Sequence, residues 1–382
     1  MNKKVLILSS EFPPGPGGIG QHAFSLASGL ADLDYAVTVM TVSDYSLPNE
    51  NSAFDINNHQ ITVIRFKRFF PIMTQIYRFI EILKYVTNQK SKPEIMFASG
   101  RFPLVFLSIF GNFRGLKSIK KIAILHGSEV KPKKIIQRIL NQMGIAKCNQ
   151  LVSVSKFTEG LIPQKIKWKI GFENLFIIGN GITSEAIRGW ENKVGKNDLQ
   201  GSPRLLTVGN VIPRKGQHLV VEAMPEIMIE FPEVHYHIVG IRRDTEKVDV
   251  TIKNNGLESA CTFHGRVFAH SDLSLFYRNV DILMLLSENQ SNGDVEGYGI
   301  VALEANYFGV PVIGAMGTGV EAAIKDGYSG VLVDATNKIA IKEAVSKILN
   351  NREFFGSESK KWSMENTWNN ISIEFEKVIN HN

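Results

Sequence analysis

The feature that most restricts this chain is a rhythm of short apolar runs that do not alternate with polar residues. Residues 5–9 read VLILS, as expected of a strand covered on both faces of a parallel sheet. A helical candidate follows over 20–33, where Ala23, Leu26, Ala27 and Leu30 recur at helical spacing. The alternation continues through runs at 36–41, 61–66, 95–98, 122–125, 151–154 and 175–178. It restarts at 204–208 (RLLTV) and passes through 234–239, 261–264, 282–286, 311–314 and 330–333. Such strands, separated by helices, predict α/β sheets with right-handed crossovers. Two series in 382 residues predict two Rossmann-like α/β/α domains. The first is expected over 1–183 and the second over 204–360, with the polar, Gly-containing stretch 184–203 as linker. The tail, 361–382, is expected to be a helix that caps either domain or crosses back to the first.

Charge divides along the same line. Residues 1–190 carry 24 Lys and Arg against 12 Asp and Glu, whereas residues 191–382 carry 19 against 25. A basic half joined to an acidic half implies different partners for the two. Nucleic acid is not expected, because the chain has no zinc-finger, basic-zipper or RNP-like pattern. An anionic membrane surface or a phosphate-bearing substrate suits the same charge. Two cysteines, Cys148 and Cys261, exclude a disulfide scaffold and a Cys-based zinc site. The histidines are scattered, and Asp32 and Asp34 flank a helix-to-strand turn, so no metal and no cofactor are expected. The opening MNKKVLILSS meets Glu11 and Pro13 before a signal-like apolar region develops. The longest apolar stretch, around 103–110, is too short to span a bilayer. The expected location is cytoplasmic.

Three loops carry chemistry. After the first strand, SSEFPPGPGGIGQHAF supplies Gly15, Gly17, Gly18 and Gly20, which let backbone amides approach an anion or substrate at a helix start. Gly18, Gly20 and Ala23, with Asp44 downstream, imitate a dinucleotide fingerprint only weakly, since Glu11, Pro13, Pro14 and Pro16 intervene. After the first strand of the second series, TVGNVIPRKGQH places Arg214 and Lys215 between Gly209 and Gly216, which suits a diphosphate. The third loop, SENQSNGDVEGYGIVALEANYFGVPVIG, sets Glu296 and Glu304 eight apart beside Gly297 and Gly299. A helix beginning near Gly299 puts Glu304 about one and a half turns in. Carboxylates of this kind suit the vicinal hydroxyls of a ribose or a sugar.

These residues resemble the retaining GT-B glycosyltransferases of family 4, whose second-domain motif E-x7-E stands here as Glu296-GYGIVAL-Glu304. The EFPPGPGGIGQH loop resembles that family's acceptor-side loop. Leu125-His126-Gly127 resembles its His-Gly element, Val154-Ser155 its strand-end serine, and Gly179-Asn180-Gly181-Ile182 its interdomain signature. The resemblance spans about residues 3–375. It implies two domains facing each other across a cleft, the first for acceptor and the second for a nucleotide-sugar donor.

By that resemblance His126, Lys215 and Glu296 are the expected catalytic residues. Lys215 would hold the donor diphosphate, Glu304 the nucleotide ribose and Glu296 the donor sugar, with the amides of Gly297, Tyr298 and Gly299 gripping sugar and phosphate. Gly18, Asn210, Arg214, Ile300, Arg266 and Val267 complete the expected donor-binding set, the last two at the nucleobase edge. Two positions depart from the family pattern. Asn210 stands where an arginine is usual, with Arg214 as the alternative cation. The donor loop reads Gly317-Thr318-Gly319-Val320-Glu321-Ala322, without a Pro-Glu pair. The resemblance implies transfer of a hexose from a UDP- or GDP-linked donor to a glycan or lipid-linked acceptor, with retained configuration. It also suggests a setting in bacterial surface polysaccharide or lipopolysaccharide synthesis. Lys215 and helix amides would stabilise the departing phosphate without a metal. A sugar-nucleotide epimerase or phosphorylase of the same fold stays open, as does an inactive nucleotide-sugar-binding protein. Finally, residues 61–92 combine seven Lys and Arg (Arg65, Lys67, Arg68, Arg78, Lys84, Lys90, Lys92) with a helix-compatible apolar set. That pattern reads either as a packing helix or as a surface docking on the inner face of the plasma membrane.

Overall fold

The computed structural model describes residues 3–15, 17–42, 47–67, 69–193, 195, 198–267 and 270–381. Pro16, Asp44 and Arg68, to which the sequence drew attention, lie outside them. The chain forms two compact units, Met1–Ile178 with Trp368–Asn382, and Gly179–Thr367.

The first unit runs β1 (Lys4–Ser9), α1 (Gly18–Asp32), β2 (Ala36–Val42), α2 (Pro48–Asn57), β3 (Thr62–Phe66), α3 (Pro71–Thr87), β4 (Ile95–Ser99), α4 (Arg101–Phe110) and β5 (Lys120–Leu125). It continues with α5 (Ile135–Ile145), β6 (Gln150–Ser153), α6 (Lys156–Gly160), α7 (Gln164–Ile170) and β7 (Leu175–Ile177). Its seven strands are parallel in the order β3-β2-β1-β4-β5-β6-β7. Leu6, Ile7 and Leu8 are wholly buried, which is why the sequence there lacks a polar alternate. The order reverses between β1 and β4, and the crevice at such a reversal, beyond the strands' carboxyl ends, is where α/β sheets hold ligands.

The second unit holds α8 (Ser184–Glu191), β8 (Arg204–Val208), α9 (Gln217–Glu230), β9 (His235–Val239), α10 (Glu246–Asn254), β10 (Cys261–Gly265), α11 (Leu273–Tyr277) and β11 (Ile282–Leu285). Then come α12 (Val301–Tyr307), β12 (Val312–Ala315), β13 (Gly330–Val333), α13 (Lys338–Asn350) and α14 (Arg352–Glu365). Six parallel strands are ordered β10-β9-β8-β11-β12-β13, reversing between β8 and β11. The loops that carry Lys215 and Glu296 follow those two strands, so the topology brings them together.

The junctions differ from the sequence reading. The stretch expected as linker begins with α8, because the Thr183 side chain accepts from the Ala186 amide at 3.0 Å and caps the helix. Its Trp190 is buried against Tyr307 and Phe308, with ring centroids 5.3 and 5.5 Å away. The tail, expected as one helix, breaks at Asn366, whose backbone leaves the helical region and whose side chain donates to the Trp362 carbonyl at 2.8 Å. Trp362 hydrogen-bonds Ala323 within the second unit. The last helix, α15 (Trp368–Asn380), packs on α1 in the first. There Trp368, Ile371, Phe375, Val378 and Ile379 are buried, and Tyr35 donates to Glu376 at 3.2 Å. A Cβ on Gly29 of α1 would lie 1.8 Å from Ser372 Oγ, so that glycine sets how closely the two helices approach.

Candidate active site

In the second unit, β8 ends at Val208, Gly209 follows, and the chain closes a single turn over Pro213–Lys215 before α9. Gly216 adopts φ 68°, and a Cβ there would sit 1.7 Å from the Leu286 carbonyl, so only glycine lets α9 start against the end of β11. The Glu288 amide donates to the Arg214 carbonyl at 2.8 Å, tying this turn to the following loop. That loop delivers Glu296 between the two cations. Lys215 Nζ donates to Glu296 Oε2 at 2.6 Å, and Arg214 Nη1 donates to the same oxygen. Arg214 Nε also lies 3.1 Å from Asp294. Burial alone would push the Glu296 carboxyl up, but Lys215 and Arg214 outweigh it and hold the group below the ordinary range. Gly319 closes the far side: its amide donates to the Glu296 carbonyl at 3.0 Å, and a Cβ would come within 2.2 Å of Gly297.

Glu304 lies in the first turn of α12, nearer the helix start than the sequence suggested, because the helix begins at Val301. It is buried and accepts a hydrogen bond from Tyr277 Oη at 2.8 Å. Burial and the Glu304 charge push the Tyr277 phenol well up, so it stays a donor. Gly299 (φ 90°) and Ile300 form the turn into α12. Tyr298 is buried and donates to the Asn180 carbonyl at 3.1 Å, while Gly179 lies so near its ring that a Cβ would be 2.8 Å away. The Gly179–Asn180 pair thus seats the loop carrying Glu296. Asn210 receives Gln217 Nε2 on its carbonyl at 3.1 Å. Arg266, exposed, and Val267 follow β10, two strands from β8.

The first unit gathers a different set. His126, at the end of β5, has Nε2 2.9 Å from Ser99 Oγ, and its amide donates to the Glu129 carboxylate. Burial pushes the His126 ring down to about 4, so at neutral pH it is uncharged. Its desolvation leaves hydrogen bonding and shape, rather than charge, as what the ring offers. His22 of α1 stands edge-on to it at 4.9 Å and is itself held neutral by burial and by His126. Glu11 reaches back over the first glycine loop, where a Cβ on Gly17 would lie 1.9 Å from its Oε2. Burial raises the Glu11 carboxyl, opposed by the Gly20 amide and Arg101. The start of α1, expected to await an anion or substrate, already receives the chain's own carboxyl. Gly18 has open space where its side chain would be. Ser155 caps α6, accepting from the Thr158 amide at 3.1 Å.

Tyr277, Glu11, His22, Ser99 and Glu129 were missed by sequence reasoning. Glu11 and His22 bound the named EFPPGPGGIGQH loop and Glu129 follows the His-Gly element, so these carried a local signal; Tyr277 did not, since its partner is 27 positions away. Among the described residues no group of three or more His, Cys, Asp or Glu is arranged to hold a metal ion.

Comparison with known proteins bears on both units. A Glycosyltransferase Family 4 model matches residues 16–186, and a Glycosyl transferases group 1 model matches 190–365. The GDP-mannose-dependent alpha-(1-6)-phosphatidylinositol monomannoside mannosyltransferase of Mycolicibacterium smegmatis is 24% identical over 383 residues, covering 95% of this chain and 94% of that one. A GDP-mannose-dependent mannosyltransferase acting on the monoacylated form, from Corynebacterium glutamicum, is 25% identical, covering 91% of this chain and 89% of that one. HepE of Anabaena, solved with UDP and glucose, superposes with a TM-score of 0.74 at 15% identity, covering 99% of this chain and 100% of that one. The lipopolysaccharide outer core galactosyltransferase WaaB gives 0.71 at 14% identity, with coverage of 98% and 99%. At such identities the structural likeness shows the fold, which is GT-B.

Proposed function

Since the chain belongs to the group 1, family 4 glycosyltransferases, we propose that it moves a hexose from a UDP- or GDP-linked sugar to a glycan or lipid-linked acceptor, with retained anomeric configuration. The observation that carries this reading is the convergence of Lys215 and Arg214 on Glu296, beside the buried Glu304–Tyr277 pair. Lys215, with Arg214, holds the diphosphate and stabilises the charge that develops as it leaves. Glu304 accepts from ribose hydroxyls, and Glu296, with the amides of Gly297, Tyr298 and Gly299, addresses the donor sugar. Arg266 and Val267 border the base. His126, uncharged, orients rather than titrates. The departing phosphate takes the acceptor proton, and no metal enters. The named activities of the mycolicibacterial and corynebacterial relatives make GDP-mannose the first donor to try.

The acceptor is proposed to be membrane-displayed, in surface polysaccharide or lipopolysaccharide synthesis on the inner face of the membrane. No helix among the described residues is long and apolar enough to cross a membrane, so docking would be peripheral. It would use the apolar side of α3, where Phe70 is 81% and Ile72 77% exposed. Two of the basic residues expected there are not available. Arg65 is half-buried and held in a bidentate pair with Asp55 at 2.8 and 2.9 Å, and Arg78 is buried. Exposed Lys131, Lys133 and Lys134, leading into α5 with its exposed Ile135 and Ile136, would supply charge for docking instead.

The test is calorimetry with UDP, GDP and ADP, followed by donor-by-acceptor assays with product mass and linkage analysis. Conversion of the donor without an acceptor would indicate an epimerase, and no nucleotide binding would remove the donor site.

A further inference from the structure

Lys215 and Arg214 do not point at one another or at solvent; they meet on a single oxygen of Glu296. That oxygen occupies the place between two cations that a phosphate oxygen would take, and two oxygens cannot share it. The Arg214, Lys215 and Glu296 side chains are only 18%, 14% and 13% exposed, so screening by water is weak and the exchange of one anion for another is felt strongly.

We infer that Glu296 is an internal competitor of the donor's diphosphate and, by that competition, the residue that discriminates a nucleotide sugar from the free nucleoside diphosphate. This rests on the donor-site reading above. When a nucleoside diphosphate enters, its phosphate displaces the Glu296 carboxylate, which is left buried without its cations. If a hexose is attached, sugar hydroxyls donate to the released carboxylate and compensate it. If none is attached, the carboxylate stays uncompensated and pulls back toward Lys215 and Arg214. After transfer the sugar is gone, the competition resumes, and the diphosphate product is expelled. The second acid at the site, Asp294, holds Arg214 at 3.1 Å from the solvent side and keeps that guanidinium in place while Glu296 moves.

The distinguishing experiment is calorimetry of GDP and UDP, and of GDP-mannose and UDP-glucose, against parent, Glu296→Gln and Glu296→Asp. Glu296→Gln keeps the shape and removes the competing charge, so the free diphosphate that binds the parent should bind about tenfold or more tighter. Its hexose conjugate should gain far less, or lose, and the preference for sugar-bearing over sugar-free nucleotide should shrink. Glu296→Asp, which keeps the charge on a shorter arm, should fall between. Diphosphate affinity that is unchanged or weaker in Glu296→Gln overturns the competition and leaves the donor site standing. Failure of every nucleotide to bind parent and variants overturns the donor-site reading and the competition with it.

Discussion

The loops that follow the first strand of each unit share one scaffold and carry opposite electrostatics. Both leave β1 or β8, pass through glycines and open a helix. In the first, residues 10–22 contain no Lys or Arg, the start of α1 receives Glu11, and the neighbouring histidines are held neutral. In the second, two cations face a carboxylate kept charged. A helix start after a glycine loop is therefore not in itself an anion site; the side chains around it decide which ligand it suits. On the proposed function, the first loop would take hydroxyl-bearing, uncharged groups and the second a diphosphate.

The largest effect that separates the two is expected from Lys215→Ala, which should lower turnover roughly 10²- to 10³-fold at saturating donor with little change in acceptor KM. Its counterpart Glu11→Gln should leave donor affinity within about twofold by calorimetry. Equal turnover in Lys215→Ala, or a large donor effect of Glu11→Gln, would erase the contrast. Glu304→Gln comes next. It should weaken nucleotide-sugar binding about 10- to 150-fold, since a charged acceptor becomes an amide beside Tyr277; unchanged affinity in a folded variant would remove Glu304 from the ribose.

A smaller effect concerns the surfaces. Donor binding, at side chains largely shielded from solvent, should depend little on salt, whereas vesicle binding should depend on salt and on apolar contact. Replacing Phe70 and Ile72 together by serine should reduce sedimentation with anionic vesicles about tenfold, more than neutralising Lys67. Loss of binding on neutralising Lys67 alone, with the apolar variant unaffected, would mean a purely electrostatic surface.

The last is a pH effect. In the unfolded chain His126 protonates near the ordinary 6.5, and in the folded chain only at about 4. Between those values the unfolded state binds more protons, so stability is full above the upper value and is lost as pH falls toward the lower. Denaturant unfolding at about pH 7.5 and about pH 5 should show that loss in the parent and less of it in His126→Gln. Identical pH dependence in both would mean His126 is not desolvated.

How far the sequence could be read follows from where each signal lies. Strands such as 5–9 and 282–286 were legible because burial on both faces writes itself into consecutive residues. Glu296, Glu304 and Lys215 were legible because glycines and small residues surround them within one loop. The Tyr277–Glu304 bond, the His22–His126 contact and the Arg65–Asp55 pair were not, because each joins separate elements. The split between Trp362 and Trp368 turned on the backbone of Asn366 alone, which no period of apolar residues reveals.

The return of α15 to the first unit has a consequence for how the chain is made. By covalent connectivity the second unit is an insert in the first, with both crossings side by side where Ile182 pairs with Thr367. A ribosome therefore delivers every residue of the second unit before the first has its last helix. Until Trp368 and Phe375 emerge, α1 lacks the aromatic cover of His22, so the unit begun earliest during synthesis is completed last.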